Sequence, residues 1–438
     1  MQQAFYELAD ELIGGRRDEE VLLLSFSGED SDFVRFNHGA IRQAGRVEQR
    51  ELALELVVGN RHVRSVCTLA GDAGTDRQRG EAMLAELRRR LGDVPEDPYL
   101  LYATEVHSGE NVGENRLPDR ADAIDAVLGA GQGRDMVGLL AQGGIHAGFA
   151  NSLGQRNWFA THTFHVSWCF YHAADKAVQT SYAGFAWDDA AFSRKVQDAG
   201  EQLAALGRPA RTIEPGEYRL YLAPEALKEF LGTVAWGGFG LKAHRTKSTS
   251  LLKMVEQGAT LAPSVTLRQN TAEGMAPNFT SAGFLKADQV TLIEDGRYRD
   301  CLVSPRSGKE YGEQPNAGGE HPESLDMSAG ELPAAEAPAR LGTGVYVNQL
   351  WYLNYSDVPA CRITGMTRFA TFWVEDGEIA APLNVMRFDE TVYRVLGENL
   401  LALTARRDFL PSRSTYGGRS TSSARLPGAL VEGFRFTL

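Results

Sequence analysis

The chain has 438 residues, a formal net charge of −12, 43% hydrophobic residues and four cysteines. That length exceeds what one hydrophobic core usually serves, so two domains are expected, and the apolar residues are spread without runs long enough to cross a membrane. The acidic balance, with no large positive cluster, speaks against a nucleic-acid footprint or a basic membrane-surface helix.

At the start, MQQAFYELADELIGG sets Phe5, Leu8, Ala9, Leu12 and Ile13 on one helical face and Glu7, Asp10 and Glu11 on the other. With neither a basic start nor a continuous apolar core, it reads as neither a signal peptide nor a membrane span. Cys67, Cys169, Cys301 and Cys361 lie far apart without a Cys-x-x-Cys pair. That usage predicts reduced thiols and a cytoplasmic location.

VLLLSFSG then reads as a buried strand, and DFVRFNHGAIRQAG with ELALELVVG as further strands joined by turns at Asn37-His38-Gly39 and around Gly45. Helices are predicted from Asp76 to Leu91 and near Arg120 to Leu128. The glycine-rich run Gly129 to Arg134 follows a helix and lacks a Lys-Ser/Thr ending, so it reads as a helix-terminating loop and not a phosphate loop. From Gly144 to Ala183 the pattern is strand-like, and a helix resumes over about Asp188 to Leu206. Two breaker clusters, Gly207-Arg208-Pro209 and Glu214-Pro215-Gly216, place the domain boundary near residue 212. In the second half, VTLIEDGRYRD and ATFWVEDGEIAAP each turn on an acidic residue plus Gly and predict hairpins, while Pro305 to Arg340 reads as a long surface loop.

The stretch Tyr218 to Gly240, YRLYLAPEALKEFLGTVAWGGFG, carries the most information. YRLYL is strand-like, Pro224 suits a helix's first turn, Leu227, Phe230, Leu231 and Val234 fall at helical spacing, and Gly237-Gly238 ends the helix. A helix-borne zinc site needs imidazoles converging on one ion, with a Glu to take a proton from bound water. Here the inward positions hold Gly232, Thr233 and Gly237, which cannot ligate zinc in those roles.

Other clusters are weaker. His162, His165, His172 and Cys169 gather in one strand-like run, but alternation turns His162 away from the face shared by His165 and Cys169, so sheet residues are preferred over a metal site. Arg406 to Arg425 is locally basic and rich in hydroxyls, which fits an anion or a substrate carboxylate and fits an exposed loop better. In TGMTR, Thr364, Met366 and Arg368 are candidates for binding a peptide or a partner, with a structural role preferred for Arg368. No Gly-x-Ser-x-Gly nucleophile elbow occurs.

Over nearly its whole length, the chain resembles the TldD/PmbA family, on the PmbA (TldE) side. The resemblance rests on Ser31 to Gly45, Ala147 to Phe159, Tyr218 to Gly240, Leu267 to Phe284, Thr364 to Phe388 and Ser422 to Thr437. In TldD-like subunits the helix carries His-Glu-x-x-x-His, which places Gly232, Thr233 and Gly237 where the ligands and the Glu would stand. A further ligand comes from later in those chains, and here no Cys follows Cys361. The resemblance implies a dimerising α+β protein with an N-terminal mixed α/β domain over 1–212 and a C-terminal β-rich domain over 213–438. It implies a subunit with no catalytic residues and no cofactor of its own, shaping a chamber for unfolded peptides. A TldD-like partner would hold the zinc, or the chain would pair with itself, with no nucleic acid and no membrane involved. The alternatives are a homodimeric peptide-binding module without catalysis and a peptidase with an unrecognised site, for which His165, Cys169 and His172 are the suggestive ligands.

Overall fold

The computed structural model describes residues 1–173 and 176–437. Helix α1 (Gln2–Gly14) buries Phe5, Leu8, Ala9 and Leu12, the stripe its spacing demands. Strand β1 (Val21–Asn37) turns through His38 and Gly39, both at positive φ, into β2 (Ala40–Val58). Two left-handed residues in succession give the hairpin turn whose twist matches that of the flanking strands. Then follow β3 (Arg61–Thr68), α2 (Ala73–Arg90), β4 (Gly109–Val112), α3 (Arg120–Gly131), β5 (Asp135–Asn151), β6 (Arg156–Ala173), β7 (Lys176–Gly184) and α4 (Asp189–Leu206).

These strands form one sheet in the order β3-β2-β1-β5-β6-β4, with β7 also on β6. Helices α1 and α2 cover one of its faces through Leu12, Met83, Leu84 and Leu87. The expected turn around Gly45 is absent: β2 runs straight through it, with Gly45 opposite Phe33. The residues around Gly45 are exposed, so this end of the hairpin takes its conformation from pairing with β1 instead of from a buried face.

The second sheet begins with β8 (Gly216–Leu222), which leads into α5 (Pro224–Gly238). After α6 (Leu241–Arg245) and α7 (Leu252–Gln257) come β9 (Leu267–Asn270), β10 (Gln289–Glu294), β11 (Arg297–Tyr298), α8 (Pro305–Tyr311), β12 (Ser324–Met327) and α9 (Ala337–Leu341). The chain closes with β13 (Gly344–Asp357), β14 (Arg362–Glu375), β15 (Glu378–Pro382), β16 (Arg387–Thr391), β17 (Leu400–Pro411) and β18 (Ser423–Phe436). Strand β8 pairs in parallel with β13 and antiparallel with β18, so the path β18-β16-β14-β13-β8 returns on itself. Leu227, Phe230, Leu231 and Val234 of α5 join the large core of this sheet.

Both predicted hairpins form. The turns Asp295-Gly296 and Asp376-Gly377 each place two residues at positive φ, as an acidic residue followed by Gly favours. The segment from Pro305 to Arg340 is not one long surface loop. It holds α8, α9 and the fully buried β12, whose Leu325 and Met327 enter the core while Asp326 pairs with Arg407 and Arg268. Its small and polar residues hide a four-residue strand too short to show a period. With 43% strand and 26% helix, the fold is the expected α+β mixture. Among the described residues no helix is long and apolar enough to cross a membrane.

Candidate functional site

Strand β8 delivers the chain to Ala223, and Pro224 opens α5 with its φ already suited to a helix. Because Leu227, Phe230, Leu231 and Val234 are all buried in the core, the opposite face of the helix is free. It lines a cavity of about 490 Å³ with Lys228, Glu229, Gly232, Ala235 and Trp236. The facing wall comes from Leu325 on β12, Leu410 on β17 and Ser423 and Ala424 on β18, and Arg413 lies beside them. Gly232 has no neighbour within 4 Å of where a Cβ would sit, so its missing side chain leaves open space. The helix breaks at Trp236 (ψ 86°) and Gly237 (φ 89°), and the turn leaves the Trp236 ring 69% exposed.

Below the cavity lies a compact charge cluster. Arg413 donates from Nη2 to Glu225 Oε2 at 3.1 Å and stands 3.9 Å from Glu229 Oε1. Ser181 of β7 donates its hydroxyl to Glu225, and Lys228 donates to the Pro411 carbonyl at 2.8 Å. Burial works against the Glu225 charge, but Arg413, Lys228 and the Ser181 hydroxyl outweigh it and hold the carboxyl at about 2. Burial pulls the Lys228 ammonium down, and Glu225 opposes it. Two acids thus balance two bases, and the cluster ties the first turn of α5 to β7 of the other sheet and to the end of β17.

Gly232, Thr233 and Gly237 offer a metal one hydroxyl between them, and Thr233 Oγ1 already donates to the Glu229 carbonyl at 3.2 Å. They do not fit a zinc ion. Among the described residues no group of three or more His, Cys, Asp or Glu is placed to hold a metal ion. On β6, His165 is buried and held neutral down to about 4 by burial, and burial raises the Cys169 thiol to about 11. His162 lies beside His146, with ring centroids 6.2 Å apart, whereas His172 lies against Gly207. The three histidines therefore do not converge.

Thr364, Met366 and Arg368 alternate along one face of β14, and none lines the cavity. Thr364 Oγ1 donates to the Phe388 carbonyl at 3.0 Å, and the Arg368 guanidinium lies 4.1 Å over the Trp351 ring. Met366 stands opposite Trp351 on β13. Glu225 and Arg413, which the residue pattern did not single out, anchor the site. The basic run was the only signal for Arg413: residues 406–411 of that run are strand and Arg413 is drawn inward, so it is not an exposed loop throughout.

Two sheets, the second of which forms a cavity with α5, define an α+β protein. The model of the PmbA/TldA metallopeptidase C-terminal domain matches residues 215–438, just over half of the chain, and the chain belongs to the PmbA/TldD family. Solved structures with the same fold include TldE from Thermococcus kodakarensis, with a TM-score of 0.77 at 13% identity over 99% of this chain and 100% of that one. A candidate modulator of a DNA gyrase from Thermotoga maritima gives 0.76 at 14% identity over 99% and 100%. Another from Bacteroides thetaiotaomicron gives 0.74 at 16% identity over 99% and 98%. No curated protein matches the chain.

Proposed function

We propose that this chain is the non-catalytic, PmbA/TldE-like subunit of a cytoplasmic TldD/TldE-type metallopeptidase. The observation that carries the reading is α5 itself, where Gly232 opens onto the cavity and Gly232, Thr233 and Gly237, the positions that the resemblance assigns to the zinc-binding motif, carry no metal-binding side chain. Family membership supports it, and the charge-balanced cluster beneath the cavity supports a role in shaping a chamber. In this reading a TldD-like partner supplies the metal-activated water that cuts an unfolded peptide. This chain contributes walls and orientation, while main-chain hydrogen bonds hold the peptide extended. The N-terminal unit over 1–212 and the C-terminal unit over 213–438 are its two domains, and Thr364, Met366 and Arg368 face the peptide or the partner.

The test is elemental analysis of the purified chain together with cleavage of an unstructured peptide, with and without a TldD-like subunit. We expect no stoichiometric zinc and no cleavage by the chain alone, and cleavage that depends on this chain once the partner is added. Close to one zinc per chain, or turnover without a partner, would overturn the proposal. Peptide binding with no gain of cleavage on adding the partner would favour a homodimeric binding module.

A further inference from the structure

A second cavity, of about 460 Å³, lies on the first sheet beneath the loop that joins β17 to β18. Strand register builds its floor: Ser27 stands between Glu51 and Ala147, and Glu29 between Gln49 and Ile145. The roof is the loop from Ser414 to Thr421, with Pro277 beside it. Tyr416 at the rim is 99% exposed. The loop is firmly held, since the Arg419 guanidinium donates to Thr163 O at 3.0 Å and to Gly143 O and Ser31 Oγ at 3.2 Å.

The floor is unusual in its charge. Glu29 is only 4% exposed, yet neither it nor Glu51 forms an ion pair among the described residues. Glu29 Oε2 accepts from Gln49 Nε2 at 3.1 Å and from the Arg419 backbone N–H at 3.0 Å, whereas Oε1 has no hydrogen-bond partner. Arg419 is the one cation in the lining, and its guanidinium hydrogen-bonds carbonyls and hydroxyls instead of the carboxylate. The lining thus holds two carboxylates, the buried Glu29 and the exposed Glu51, and one guanidinium whose hydrogen bonds go elsewhere. A carboxylate buried without an ion pair is costly, and an ammonium or guanidinium group is its natural complement.

We propose that this cavity binds the cationic side chain of a lysine or arginine in an extended peptide. Glu29 and Glu51 supply the countercharge, and the Tyr416 ring offers a face for the cation at the entrance. The inference rests on the reading of the chain as a peptide-binding subunit and assigns that subunit a preference for basic residues.

Fluorescence anisotropy with the full chain tests it, using three labelled unstructured peptides. The first has blocked ends and one lysine, the second replaces that lysine by norleucine, and the third is the norleucine peptide with a free α-amino terminus. We expect the lysine peptide to bind about tenfold tighter than the blocked norleucine peptide or better, with the gap narrowing as salt rises. Glu29→Gln should close most of the gap. Because Glu29 is buried, Glu51→Gln and Tyr416→Ala on the exposed rim serve as second variants, and each should narrow it. Rescue by the free amino terminus alone would show that the cavity reads a chain end and overturn the side-chain assignment. Equal binding of all three would overturn the proposal while leaving the chamber reading intact, and no binding of any would overturn both.

Discussion

Replacing Glu225 by Gln removes the one charge on which Arg413, Lys228 and Ser181 converge. The carboxyl sits at about 2 against an ordinary 4.5, and at about 1.4 kcal/mol for each tenfold in acidity this corresponds to about 3 kcal/mol of stability at neutral pH. That is the scale found when one partner of a buried pair is removed, because the remaining charges are left desolvated. The substitution Glu225→Gln is expected to cost about 3 kcal/mol at pH 7. The folded-state value is depressed, so the contribution is complete above the unfolded value near 4.5 and is lost as pH falls from there towards 2. Urea denaturation of both proteins from pH 7 down to acid conditions reads this directly. The gap between wild type and variant should hold constant down to about pH 5 and then shrink. A gap below about 0.5 kcal/mol at pH 7, or one unchanged through pH 3, would refute the assignment of Glu225 as the focus of the cluster.

His165 titrates in a different window: burial lowers it from 6.5 to about 4, so the unfolded chain takes up its proton first and stability is lost as pH falls from about 6.5 to about 4. His165→Gln should flatten the slope of stability with pH in that interval alone, and an unchanged slope would show that other groups set it. The combined variant Gly232→His, Thr233→Glu and Gly237→His should still take up well under one zinc per chain by elemental analysis. The break at Trp236 and Gly237 takes residue 237 off the helical path of residue 232, and a φ of 89° strains any side chain placed there. Tight binding of one zinc would refute this.

The parts of the fold set by local chemistry were legible in the sequence. Asp295-Gly296 and Asp376-Gly377 announce their hairpins because the turn needs two left-handed residues, and Pro224 with the Leu227 to Val234 spacing announces α5. What depended on distant partners was not. The continuation of β2 through Gly45 is decided by pairing with β1, and the burial of β12 by strands far along the chain. The cavity was only half visible for the same reason. Its helix face follows from the spacing of α5, but its other wall comes from Leu325, Leu410 and Ala424. Nor can a pattern show that Glu225, one acid at a helix start, is buried against Arg413.

These two kinds of constraint explain how α5 can keep its place while Gly232, Thr233 and Gly237 carry no metal-binding side chain. The buried face of α5 is fixed by packing, since losing a side chain such as Phe230 or Leu231 would cost several kcal/mol, about 2 to 5 for a truncation to Ala. The cavity face carries little of that burden. Gly232 meets nothing within 4 Å, and a glycine inside a helix costs only about 0.5 to 1 kcal/mol relative to alanine. At position 232 the fold therefore tolerates a side chain or its absence almost equally, and function has to be read from the side chains lining the cavity and not from the scaffold that presents them. In this chain those side chains include Lys228, Arg413 and Glu229, an exposed tryptophan and an open glycine. Under the proposed reading such a surface holds and orients a peptide chain, with proton transfer supplied by groups from elsewhere.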